Sequence, residues 1–454
     1  MEEFMNKDFL LTSKLAKTLY KEVCDLPVID YHNHLSKADI ANNRKFANIT
    51  ELWIAPDPYK HRLMRIKGVD EKYITGDAAD FEKFEKWCSV FPELLGTPVY
   101  DWCLMELSTI FGIETFPSAE SAKELWDELN AKLADDEYSA VELLKKAGVE
   151  YAAPCASITE DISVYVGNDT FAPSLRGDDI VAPDAKFIAA LAEAAGKEIN
   201  SLSDFYDALK IRLDEFAKAG CVFSDHALDD SFIYEEDDGN ADKYFAKLLK
   251  GKELEIDEAV LLKSEILRFM ACEYVCRGFV MQLHIGALRK TSSRLRRIAG
   301  AAGGFAGIGS DINISEVTRF LDDVEVAAGS LPKTIMFTLN PSNNAALSIL
   351  SGSYSKDGVG AVVSQGPAWW WCDHITGMRE VFESLAVYST LSEFVGMTTD
   401  SRSFLSFVRH DYFRRTLCSY LADKVERGDF PERLDDLKLI ARKMCYQNAK
   451  NLIK

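Results

Sequence analysis

The feature that most constrains this chain is an alternation. Short apolar, β-rich segments ending in polar residues recur at 27–34 (PVIDYHNH), 149–157 (VEYAAPCAS), 171–176 (FAPSLR) and 221–227 (CVFSDHA). Four more follow at 280–288 (VMQLHIGAL), 334–340 (TIMFTLN), 361–366 (AVVSQG) and 393–400 (EFVGMTTD). Several are near-continuous apolar runs, the pattern of parallel strands covered on both faces. Between them, 184–195, 202–219, 259–277, 314–328 and 379–390 place apolar residues at spacings of three and four, as amphipathic helices do. Strands alternating with helices imply an α/β fold with a parallel sheet, and eight such units imply a (β/α)8 TIM-type barrel. A flavodoxin-like open sheet is the alternative that strand counting leaves open.

Two stretches are too long for simple βα connections. The first is rich in Trp, Phe, Leu and helix formers and reads as a helical insertion after strand 1, placed over the barrel mouth. The expected organisation is 1–36 for the N-terminal segment and strand 1, 37–147 for the insertion, and 148–454 for the rest of the barrel, with a smaller helical insertion at 229–258.

Composition narrows the function. Across 454 residues, 52 Lys+Arg stand against 72 Asp+Glu, a formal net charge of −20. Affinity for nucleic acid comes mainly from clustered cations, so this balance argues against such a partner. No apolar run approaches the roughly 18 residues of a membrane span, and the first residues, MEEFMNKDFL, show no secretory h-region. Ten cysteines are scattered with no CxxC, which reads as reduced thiols of a cytoplasmic protein. An acidic protein that binds an anion must build a local cationic pocket.

His32 and His34 are two of only seven histidines. At i and i+2 of an extended strand they share one face, at the strand end where barrel active sites are built. His284 ends the fifth segment and Asp400 the eighth. Singly, His284 could be a core histidine and Asp400 a helix N-cap. Together they make a plausible mononuclear metal site, with imidazole-dominated ligation favouring Zn²⁺ among divalent ions. Lys60, His61 and Arg62 read as a solvated helix face.

A histidine pair on strand one with an aspartate on strand eight resembles the amidohydrolase superfamily. The wider text narrows the likeness: DYHNHLS (30–36), YKHRLMRIKGV (59–69), TPVYDWCLMEL (97–107), QLHIGALR (282–289), LPKTIMFTLNP (331–341), WWWCDHITGM (369–378) and TTDSRSFLSFVRHDYFRR (398–415). In this order and over nearly the whole chain, they resemble the uronate isomerases, also called glucuronate isomerases. The resemblance implies His32, His34, His284 and Asp400 as metal ligands, and Asp400, Arg402 and Tyr59 as catalytic residues. It further implies a substrate pocket with Arg176, Arg289, Trp370, Trp371, Asp225 and His226, Arg176 being the candidate partner of the sugar carboxylate. The chain departs from the family at Pro58, where a histidine is common, and in the turn 155–161 (CASITED).

What the resemblance implies is an aldose–ketose isomerase acting on a small sugar acid. It would convert D-glucuronate to D-fructuronate and D-galacturonate to D-tagaturonate through an enediol, with a divalent metal whose necessity stays open, as does assembly into a homo-oligomer. The alternatives are a metal-dependent hydrolase, such as a deaminase or lactonase, and a non-catalytic sugar-acid binder. The sixth segment, TIMFTLN, lacks the further histidine that many amidohydrolases carry, which favours the isomerase.

Overall fold

The computed structural model describes residues 5–454. Among the described residues nine strands form: β1 Val28–Asn33, β2 Val149–Ser157, β3 Ser174–Arg176, β4 Phe223–Asp229, β5 Val280–Ile285, β6 Ala287–Leu288, β7 Gly307–Ile308, β8 Thr334–Thr338 and β9 Val363–Gln365. Seven make one sheet in the order β1-β2-β3-β4-β5-β8-β9, and every pairing in it is parallel. β1, β5 and β8 are buried at every position, the polar Asp30, Asn33 and Gln282 included, as strands of a parallel sheet covered on both faces are. The sheet is curled: Gln282 on β5 donates from Nε2 to the Tyr31 carbonyl on β1, four places away in the strand order, at 3.4 Å.

Helices fill the connections and their ends are written in the sequence. Asp184 caps Ala185–Ala195 through the Phe187 N–H, and Gly196 ends it in the left-handed region at φ 62°. Helix Ile256–Arg277 starts three residues earlier than its apolar periodicity indicates, because the Glu258 carboxylate reaches back to accept the Glu255 N–H at 3.2 Å. Ile375–Tyr388 starts four residues before the expected 379, because His374 accepts the Gly377 N–H. Residues 37–147 hold helices and no strand, among them Pro58–Ile66, Asp80–Val90 and Ala122–Leu133. No helix among the described residues is long and apolar enough to cross a membrane.

The eighth expected segment, 393–400, differs. It is not a ladder strand, since Gly396 at φ 90° and Asp400 at φ 48° break the extended backbone. It nevertheless lies along the free edge of β1: Asp400 N–H donates to the His32 carbonyl at 3.0 Å and His34 N–H to the Ser401 carbonyl at 2.8 Å. Asp30 fixes it there. Its fully buried carboxylate accepts the Thr399 N–H (2.9 Å), Thr398 Oγ1 (3.2 Å), Asn33 Nδ2 (3.0 Å) and His410 Nε2 (2.9 Å). One side chain thus ties β1, the 398–400 turn and helix Arg409–Glu426 together. The expected strand 280–288 is also split: Gly286, at φ 81°, turns the chain, and Ala287–Leu288 pairs antiparallel with β7 as a separate ribbon.

Candidate active site

A cleft opens at the ends of β1, β3, β4 and β5. Eleven of the twelve residues expected at the site line it: His32, His34, Tyr59, Arg176, Asp225, His284, Arg289, Trp370, Trp371, Asp400 and Arg402. The structure does not bring His226 there. On β4, Asp225 and Ala227 face the cleft, so the alternating strand turns His226 to the opposite face. Its Nε2 lies 2.8 Å from the Tyr274 hydroxyl of helix Ile256–Arg277. Asp178, Arg296 and Trp369 also line the cleft, and no motif in the sequence singles them out.

At the centre sits Asp400. Its Oδ1 lies 3.2 Å from His32 Nε2 and 3.0 Å from His34 Nε2, while Oδ2 accepts the indole N–H of Trp369 at 2.7 Å and that of Trp370. Trp370 adopts φ 47° and Asp400 φ 48°. Two bonded residues both held in a region costly for side-chain-bearing residues mark a place where the surrounding fold over-determines the backbone. The His284 ring packs on His32, centroids 4.6 Å apart, and stacks on Phe337 at 4.5 Å.

Burial works against charge on Asp400, yet the hydrogen bonds from His32 and His34 hold its carboxyl well below the usual range. Burial lowers His34 to about 4 and pushes His284 well below its ordinary value. Both are therefore neutral near pH 7 and able to offer a lone pair. His284 Nε2 is buried with no hydrogen-bond partner. An orphaned buried nitrogen of this kind is expensive unless a ligand completes it.

These residues fit a metal ion. The nitrogen–oxygen separations of 3.0 and 3.2 Å around Asp400 Oδ1 suit donors each about 2.0–2.2 Å from one centre. His32, Asp225 and His284 also place ligand atoms within 4.8 Å of one another, as do His32, His34 and Cys155. A bound divalent ion would supply Lewis acidity toward a carbonyl or hydroxyl oxygen.

The cationic lining answers the acidic chain. Arg176 is held by Asp178 through Nε (3.1 Å) and Nη2 (2.8 Å), and Arg289 by Asp229 at 2.6 Å. Among the described residues, Arg402 and Arg296 make no ion pair. Arg289 stacks over Trp370 (5.0 Å) and Arg62 over Trp371 (4.7 Å), so two cations sit on indole faces at the rim. The solvated helix face expected of Lys60, His61 and Arg62 is corrected at the first two. Lys60 is buried, paired with Asp57 at 2.5 Å and near Glu106 at 3.7 Å, and His61 is buried too. These side chains anchor the helix that presents Tyr59.

A curled parallel sheet that gathers a His-x-His pair, a strand-five histidine and an aspartate beside strand one defines an enzyme with an amidohydrolase-like fold. The glucuronate isomerase family model matches residues 1–453. Uronate isomerases of Bacillus licheniformis and Caldicellulosiruptor bescii are 38% and 39% identical, each over 99% of this chain and over 98% and 99% of the relative. Among solved structures, the uronate isomerase of Thermotoga maritima superposes with a TM-score of 0.92 at 30% identity, covering 99% of this chain and all of the other. The glucuronate isomerase of Caulobacter crescentus gives 0.90 at 26% identity, covering 99% and 96%. The chain belongs to the glucuronate isomerase family. It is an isomerase, and the hydrolase alternative is not favoured.

Proposed function

We propose that this protein converts D-glucuronate to D-fructuronate and D-galacturonate to D-tagaturonate in uronate catabolism in the cytoplasm. The single observation that carries the reading is the constellation around Asp400: a carboxylate pinned beside two histidines, with an unpaired guanidinium, Arg402, two residues on in the same cleft.

Aldose–ketose isomerisation moves a proton from C2 to C1 of the open-chain sugar. Asp400 Oδ2, the oxygen away from His32 and His34, takes the C2 proton. In the resting arrangement it accepts two indole N–H bonds, which stabilise its charged form. Loss of the Trp370 bond as substrate enters raises its proton affinity toward what abstraction needs. Arg402 holds the oxygen on which the enediolate charge develops. Arg176 keeps Nη1 free of Asp178 and turns it to the substrate carboxylate, giving charge and orientation together. Tyr59, packed edge-on against Trp102 and Trp371 at 5.5 and 5.2 Å, places its hydroxyl beside the sugar. A divalent ion in this site, Zn²⁺ on the chemistry of its donors, would be held by His32, His34, His284 and Asp400.

The architecture belongs to the same proposal. The 394–401 segment, hydrogen-bonded to β1 on the side away from β2, serves as the eighth stave of a (β/α)8 barrel. Residues 37–147 form the insertion over its mouth and deliver Tyr59. Residues 1–36 carry strand one, and 148–454 the remaining units, with 229–258 as a lesser insertion.

Asp400→Asn tests the role of the carboxylate. Removing a general base costs about 10²–10⁴-fold in kcat, so turnover should collapse while a uronate still binds, measured by calorimetry on the same sample. Undiminished turnover would remove Asp400 from the mechanism.

A further inference from the structure

Cys155 lies in β2 two residues before its end at Ser157 and reaches the edge of the metal-binding group. Its Sγ lies 3.6 Å from His32 Nδ1 and donates to Asp225 Oδ1 at 3.3 Å. The two nitrogens of His32 therefore face opposite neighbours: Nε2 looks to Asp400 Oδ1 and Nδ1 to sulfur. An imidazole offers one ion only one nitrogen, so a metal at Nε2, beside His34 and Asp400, leaves sulfur on the far edge of the ring.

We propose that Cys155 is a positioning residue for the metal ligand His32. The thiol gives its own hydrogen to Asp225 and accepts the Nδ1–H of His32 on a sulfur lone pair. That keeps a proton on Nδ1, so the proton an ion displaces is the one Nε2 otherwise gives to Asp400 Oδ1, and the freed lone pair points at the ion. Metal-bound histidines are usually oriented by a carboxylate, a backbone carbonyl or water on the second nitrogen. Here the carboxylate, Asp225, acts at one remove through sulfur. The fully buried His284 Nε2, which lacks any partner, independently marks the same place as built for a ligand. Aligned through the thiol, His32 cannot turn its ring without breaking both the sulfur and the Asp400 contacts.

The inference rests on His32 being a metal ligand, and one titration separates the two claims. The full-length apoprotein is titrated with Co²⁺, read by its visible ligand-field absorption, by the near-ultraviolet sulfur-to-cobalt charge-transfer region and by competition with a chelator. The unaltered protein should bind Co²⁺ without a sulfur charge-transfer band. Cys155→Ala should weaken binding about 10–100-fold, whereas Cys155→Ser, which can still accept and donate, should recover most of that loss. Denaturant midpoints of the apo variants report whether either has merely unfolded. Equal affinity in folded Cys155→Ala would overturn the inference. So would a charge-transfer band that disappears in Cys155→Ser, because the thiolate would then be a direct ligand. If the unaltered protein binds no Co²⁺, the metal reading falls first and this inference with it.

Discussion

Asp400 answers to four donors at once, and its surroundings explain why so small a change as one added methyl should matter nearby. Arg176 and Asp178 flank Gly177, and the Asp178 carboxylate also accepts the Ala227 N–H of β4 at 2.7 Å. A Cβ on Gly177 would lie 2.1 Å from the His226 ring, which is fully buried and held by Tyr274. The ring has no room to yield. Gly177→Ala should therefore cost about 1–3 kcal/mol as overpacking and raise KM for the uronate by shifting Arg176. Denaturant unfolding and steady-state kinetics on the same preparation check both effects; a variant with unchanged midpoint and KM would contradict the packing argument. His226 thus supports the site from behind. Strand alternation allowed that reading in advance, since adjacent residues Asp225 and His226 cannot both face one side. Trp369 was harder to foresee. Three consecutive tryptophans carry no periodicity, and only the fold shows that Trp369 and Trp370 serve Asp400 while Trp371 bonds the Ala306 carbonyl at 3.0 Å.

Elements were legible where burial on both faces leaves a mostly apolar run, as in β5 and β8, and where capping residues punctuate helices, as Asp184 and Gly196 do. They were not legible where the backbone turns within an apolar run. Gly286 ends β5 inside VMQLHIGAL, and β7, only two residues long, carries no pattern of its own. The 393–400 segment reads as a strand by composition, yet Gly396 must lie close against the Met444 carbonyl, where a Cβ would approach to 2.2 Å. That close passage presses the segment against Lys443–Gln447 and leaves Asp400 to be set by the Asp30 network. The helical character of 37–147 was readable from composition. The burial of Lys60 was not, because beside Asp57, the cap of its own helix, it depends on Glu106, which only the fold brings in from a separate segment.

Over the whole molecule, burial of histidine contributes to the response to acid. His61 and His226 are both lowered by burial to about 4, against about 6.5 in an unfolded chain. The unfolded state therefore takes up these protons first as pH falls. The stability they contribute is complete above the unfolded value and is lost as pH drops from about 6.5 toward 4, roughly 2 kcal/mol for each by about pH 5. Denaturant midpoints should fall steeply between about pH 7 and pH 5, and His61→Gln should flatten that slope; a flat profile in the unaltered protein would contradict it. The net charge of −20 belongs to the outer shell, while the cleft collects Arg176, Arg289, Arg296 and Arg402 against it. The most direct test of the central claim is proton NMR of the metal-loaded protein with D-glucuronate in D₂O. The account predicts conversion to the ketose with deuterium entering at C1, as a C2-to-C1 transfer through a solvent-exchanging base requires. Folded, metal-loaded protein that converts neither D-glucuronate nor D-galacturonate would contradict it.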